Sequence, residues 1–185
     1  MTPSARSAEA DPADVLPDLL RDNLRLVFCG SAAGNVSARV GAYYAHPQNR
    51  FWATLHRCGF TPERLDPHDY GRLLDFGIGL TDLAKTESGS DDQLSRYAYD
   101  PATLRAKIAR YRPSVVAFTS KTPARAFLRR ARLDYGLQED GIEDDRIAGT
   151  RVFVLPSPSP RNRMRWDEGL WRDLARLTGF GEVRA

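Results

Sequence analysis

Four short apolar runs recur along the chain, Leu24–Cys29, Ile78–Leu83, Ser114–Thr119 and Val152–Leu155, with stretches of helical spacing between them. Runs of this length, without strict alternation, suit strands buried on both faces. The stretches between them carry helical start signals: Pro47 before Phe51, Trp52 and Leu55; Pro67 to Leu74; Pro101 to Tyr111; Pro123 to Leu133; and Trp166 to Leu177. Strand alternating with helix predicts a three-layer α/β fold, with a central, mostly parallel four-stranded sheet flanked by helices. In this reading Pro47 sits in the first turn of its helix. Val15 to Leu24 is a short helix or extended lead-in, residues 84–97 are a polar loop, and residues 134–149 are an acidic excursion with a short edge strand. Residues 1–12 read as a disordered tail and 13–185 as a single domain.

Composition narrows the class. Of 185 residues, 42% are hydrophobic and 28% charged, as in soluble globular proteins, and the net charge is +3. Nearly all of the 27 basic residues are Arg, which forks onto phosphate and stacks on bases better than Lys. Two cysteines, Cys29 and Cys58, make neither a disulfide framework nor a zinc or iron–sulfur spacing. No apolar run is long enough to span a bilayer, and Met1 to Asp14 has no hydrophobic signal core. The expectation is a cytoplasmic, nucleoid-associated monomer without metal or cofactor.

Two distant segments stand out. Residues 25–52 run from an apolar strand into Cys-Gly-Ser-Ala-Ala-Gly (29–34), and on to Tyr-Tyr-Ala-His-Pro-Gln-Asn-Arg-Phe-Trp (43–52). Residues 151–163 run from a strand into Pro-Ser-Pro-Ser-Pro-Arg-Asn-Arg. Loops at the carboxyl ends of parallel strands line the ligand crevice of an open α/β sheet, so both can reach one site.

Over residues 24–180 these segments resemble the mismatch-specific uracil-DNA glycosylases, relatives of the thymine-DNA glycosylases. That family has a Gly-Ile-Asn-Pro-Gly loop, an Ala-His-Pro-x-Asn-Arg-Phe-Trp segment and a late Asn-Pro-Ser loop. The matches are Gly30 to Gly34, Ala45 to Trp52, and Pro156 to Arg163; the late loop is closer to the single-strand-selective branch. The resemblance implies hydrolytic removal of uracil from DNA, with a G:U mismatch preferred and other deaminated bases as further substrates, in base excision repair. The implied partner is double-stranded DNA with a flipped base.

The resemblance also assigns positions. Gly30, Ser31 and Ala32 form the small loop that lets backbone approach the base, with Ala33 and Gly34 behind it. Ser37 aligns with a small polar residue at the base edge, and Tyr44 with the aromatic that stacks on the flipped base. Ser157, Ser159, Pro160, Arg161, Asn162 and Arg163 make the DNA-gripping loop. Its prolines hold it in shape, and Arg161 stands at the wedge position. His46 reads as structural. The family's water-positioning Asn aligns with Ala32, its Pro with Ala33, and the leading Asn of the late loop with Ser157. The lost Asn must be replaced or done without. Carboxylates on the loop after the second strand can orient water and stabilise a cationic sugar: Asp91 first, then Asp92, with Glu87 and Asp82 behind. Two rivals stay open, a lesion- or abasic-site-binding module without catalysis, favoured by Ala32, and a small-molecule nucleotide hydrolase on the same fold.

Overall fold

The computed structural model describes residues 13–139, 147, 149–162 and 164–181. The expected tail at 1–12 lies outside them.

The alternation resolves into β1 (Leu26–Gly30), α1 (Asn35–Val40), α2 (Phe51–Arg57), a 3-10 segment (Pro67–Phe76), β2 (Ile78–Asp82), α3 (Pro101–Tyr111), β3 (Val115–Phe118), α4 (Lys121–Leu128), β4 (Gly136–Leu137), β5 (Arg151–Val154) and α5 (Glu168–Leu177). The sheet order is β2-β1-β3-β5-β4, so among the described residues the sheet has five strands rather than four. The four expected strands are parallel. The fifth is the two-residue edge strand in the acidic excursion, antiparallel to β5.

The central strands are buried on both faces. Leu26 and Phe28 join one core, with Phe51, Trp52 and Leu55 of α2 and Trp171 and Leu174 of α5. Val27, Cys29 and Val116 join the other, with Leu104 and Ile108 of α3 and Ala124 and Phe127 of α4. Two apolar faces on one sheet require helices on both sides, which makes the three layers. Phe28 anchors the first core, stacked on Trp171 at 5.6 Å between ring centroids and edge-on to Phe51 at 5.2 Å.

Helix ends differ from expectation where local chemistry overrides Pro. Pro47 lies in a turn before α2, not in its first turn. The Asn49 backbone N donates to His46 O, Arg50 N donates outward to Pro158 O, and Asn49 Oδ1 caps Phe51 N at 2.9 Å. α4 stops at Leu128 rather than Leu133 because Arg129 turns left-handed at φ 54°. α5 starts at Glu168, not Trp166, because Asp167 accepts from Gly169 N. α3 runs as expected, with Asp100 capping Thr103 N and Pro101 following it.

The lead-in is extended. Leu19 bridges Leu80 antiparallel and covers the outer edge of β2. It carries Asp18 inward, where Lys85 Nζ lies 2.8 Å and Lys107 Nζ 2.5 Å from its carboxylate, and Thr81 Oγ1 donates to it at 2.7 Å. Burial opposes this charge, but the two lysines outweigh burial and hold the Asp18 carboxyl below its ordinary value.

Candidate functional site

Parallel pairing sends the carboxyl ends of β1, β2, β3 and β5 to one edge of the sheet. A cleft of about 750 Å³ opens there, within the range of small-ligand sites, roughly 300–1,000 Å³. Gly30, Ser31, Ala32 and Ser37 line it from β1 and α1, Asp91 and Asp92 from the loop after β2, and Ser157, Ser159, Pro160, Arg161 and Asn162 from the loop after β5. Tyr44 lines it as well. Arg163 lies outside the described residues. Apart from Glu87, the structure thus brings every other anticipated site residue to one cleft.

Backbone pairing holds the first two loops together. Leu83 N donates to Gly30 O, Ala84 N to Ser31 O at 2.7 Å, and Gly89 N to Ala33 O at 2.8 Å. The Asp91 loop is therefore laced to the Ala32 loop. Asp91 is exposed, and its Oδ1 accepts from the Tyr99 hydroxyl at 3.3 Å. Burial, then Asp91, push that hydroxyl up to about 12. Asp92 is exposed too. The Ser90 hydroxyl, with a smaller share from Arg161, holds its carboxyl below the ordinary value, and Arg161 Nη1 sits 3.1 Å from Asp92 Oδ1. This ion pair joins the two lips of the cleft. Glu87 is used elsewhere: it accepts from Ser95 N and Ser95 Oγ and does not line the cleft.

Tyr44 is held in an unusual backbone state, φ 52°, which costs a bulky residue on the order of 1–3 kcal/mol. Packing sustains it. The Tyr44 ring stacks on Phe51 at 3.9 Å and 17°, and Trp52 Nε1 donates to Tyr43 O at 3.0 Å. Phe51 does not line the cleft, so it backs the ring while Tyr44 borders the opening. Burial, then Asp82, push the Tyr44 hydroxyl well above its ordinary value, so it remains protonated near Thr119 Oγ1 at 3.4 Å. Tyr43 is buried in the core, its hydroxyl donating to Pro17 O.

Ser37 accepts from Ala45 N at 3.1 Å, which ties α1 to the Tyr44 segment. His46 Nδ1 accepts from Gln48 N, a local turn contact. The late loop is internally braced. Ser157 Oγ accepts from Ser159 N, Ser159 Oγ accepts from Arg161 N, and Asn162 Nδ2 donates to Ser157 O. Such a loop pays little to order itself on a ligand.

Two groups of cleft residues are missed or ranked low by the sequence reading. Thr119, Ser120, Lys121, Thr122 and Arg125 line the cleft from the end of β3 and the first turns of α4. The rule that ligands gather at strand carboxyl ends would have pointed to them. The second is Asp82, ranked last among the acids. It ends β2, pairs in register with Gly30, is only 5% exposed, and lines the cleft from its base. Burial pushes its carboxyl up to about 7, against the pull of Lys85 and, more weakly, Lys107, while Asp18 adds to the rise.

Among the described residues no group of three or more His, Cys, Asp or Glu is placed to hold a metal, and no helix is long and apolar enough to cross a membrane. Among solved structures the chain is similar to a solution NMR structure from Methanosarcina acetivorans, provisionally named a uracil DNA glycosylase. The two share 21% identity over 89% of this chain and 96% of that one, with a TM-score of 0.62, which is a likeness of fold. A model of the uracil DNA glycosylase superfamily matches residues 17–175, and with that match over most of its length the chain belongs to this superfamily.

Proposed function

We propose that this protein is a monofunctional DNA glycosylase of the mismatch-specific type, which flips uracil out of duplex DNA and hydrolyses its bond to deoxyribose in base excision repair. The observation that carries this reading is the meeting of the β1 and β5 loops in one cleft beside Tyr44, whose ring is backed by Phe51. An aromatic face stacks on any base, and the loop bearing Arg161 offers a side chain for the gap that a flipped base leaves.

The chemistry runs as follows. Water oxygen bonds to C1′ as the C1′–N bond breaks, and the bonding pair leaves with the base. The sugar carries positive charge in the transition state. Asp91 accepts the water's proton and sets its negative charge beside the sugar, which fills the role of the Asn absent at Ala32. The proton passes on to solvent or to the departing base. A G·U pair is weaker than a Watson–Crick pair and is opened at lower cost, which supports uracil opposite guanine as the preferred substrate.

Ala32 favours one other reading, a lesion-binding protein that does not cleave. Purified protein in excess over labelled G:U and A:U duplexes, followed by alkaline cleavage of abasic sites, separates them. Strand breaks at uracil are expected, with G:U at least as fast as A:U. Intact duplexes with tight retention would replace the enzyme by the binding module.

A further inference from the structure

The extended lead-in touches two walls of the cleft at once. Leu16, 1% exposed, lines the cleft itself. One residue on, Pro17 O accepts from the Tyr43 hydroxyl at 3.2 Å, and Tyr43 precedes Tyr44, which borders the opening. On the other side, Val15 N donates to Lys85 O at 2.7 Å, and Lys85 stands at the root of the loop that carries Asp91 and Asp92. The Lys85 ammonium joins these contacts. It donates to Leu16 O at 2.5 Å and to the Tyr43 hydroxyl at 3.3 Å, and it lies 2.8 Å from Asp18 Oδ1. An ammonium has three protons. Two of these acceptors are on the lead-in and one is on the Tyr43 segment.

The lead-in is tied to the sheet without this lysine. Lys107 Nζ, on α3, lies 2.5 Å from the other Asp18 oxygen, and Lys107 does not line the cleft. What Lys85 adds is contact with the two walls.

We propose that Lys85, held by Asp18, is a positioning residue: it sets the distance between the Tyr44 wall and the loop bearing Asp91, and so places the stacked base against the acid. This rests on the glycosylase reading and deepens it. Stacking ring and carboxylate belong to separate segments, after α1 and after β2, and the reaction needs both on one nucleotide. The β1 loop laces the Asp91 loop from one side. The lead-in holds its root from the other. A misplacement of about 1 Å between a bound group and its catalytic partner costs about 10²-fold in rate.

The test compares two lysines that share one ion partner. Lys85→Met and Lys107→Met each take one positive charge from Asp18, so a purely structural network predicts similar losses from both. Breaking a buried pair is costly, so Tyr43→Phe serves as a gentler cut. It keeps the buried ring and removes the hydroxyl that meets Pro17 O and Lys85. Single-turnover release of uracil from a G:U duplex at saturating protein, and affinity for a tetrahydrofuran abasic duplex, are measured where each variant is folded. Lys85→Met should slow release by about tenfold or more and Tyr43→Phe by about threefold or more, with abasic-duplex affinity unchanged. Lys107→Met should release at the wild-type rate. Equal slowing by the two lysine variants, or a wild-type rate in either Lys85→Met or Tyr43→Phe, overturns the proposal. Should Lys85→Met fail to fold, Tyr43→Phe against Lys107→Met decides. Amide hydrogen exchange over residues 43–46 and 84–93 gives a reading that needs no cleavage. It should rise in Lys85→Met and Tyr43→Phe and stay at the wild-type level in Lys107→Met; the same rise in all three overturns the proposal. A wild-type protein that cleaves no duplex while exchange follows the expected pattern would refute the glycosylase reading and leave the positioning role standing.

Discussion

Replacing Asp82 with Asn should stabilise the protein, and by more as the pH rises. Asp82 is 5% exposed, and Lys85 and Lys107, both ion-paired to Asp18, only partly offset the cost of its burial. Its folded-state carboxyl titrates at about 7 against an ordinary 3.8. A carboxyl raised on folding contributes fully below its unfolded value, and that contribution is lost as the pH climbs through the folded value. At about 1.4 kcal/mol per pH unit, the gap between 3.8 and about 7 sets a ceiling of about 4 kcal/mol. The wild type should carry this burden in full above about pH 8, and hardly at all near about pH 4. Asn has nearly the same shape and no charge to bury. Urea unfolding followed by tryptophan fluorescence, at a series of pH values, measures both proteins. The stability difference should open between about pH 4 and about pH 7 and then level off. Asp18 titrates in both proteins with the opposite sign, so it largely cancels in the difference. Parallel pH profiles would mean that Asp82 ionises as it does in water, and would refute the burial argument.

Asp91→Asn should keep fold and duplex affinity but slow single-turnover release of uracil by about 10²-fold or more, whereas Asp92→Asn should do less. Unchanged rates for both variants would remove the loop after β2 from catalysis. Arg161→Ala should reduce activity on duplexes more than on single strands, since only a duplex leaves a gap to fill. Equal losses, with a salt slope lower by about one phosphate's worth, would make Arg161 a plain phosphate contact. Tyr44→Phe should release uracil nearly as well as the wild type, while Tyr44→Ala should lose affinity for a uracil duplex by about 1–3 kcal/mol of stacking. Equal binding by Tyr44→Ala would show that the ring only packs on Phe51.

The layered architecture was legible because β1, β2, β3 and β5 are buried on both faces and therefore spell themselves as apolar runs. The first and late loops were legible because they follow two of those runs. Helix α1 was not: Asn35–Val40 has no side-chain cap and little apolar spacing, and it forms where the chain turns back after Gly34. The start of α2 misled because Pro47 is a helix-start signal, yet Asn49 performs the capping. Arg129 ends α4 left-handed without the Gly or Pro that would announce a stop. Asp82 was underrated because Leu-Thr-Asp reads as an ordinary strand end. Its burial follows from cross-strand register with Gly30 and from packing beneath the lead-in, neither of which is a local property.

The space shared by residues 30 and 82 also dictates the order in which the pocket can be remodelled. Gly30 does not have a left-handed φ, so its backbone accepts any residue; the main obstacle is the Asp82 carboxyl, with the Tyr44 hydroxyl, 3.3 Å from an added Cβ, the lesser one. Gly30→Ala in the parent background should be rejected, and Asn at 82 gives no relief because it is as large as Asp. A small residue at 82 clears the way, after which 30 becomes mutable. The two sites form a lock with a fixed sequence of steps. A library that randomises the first loop one position at a time will record Gly30 as immutable, and one that varies both together will find that it is not.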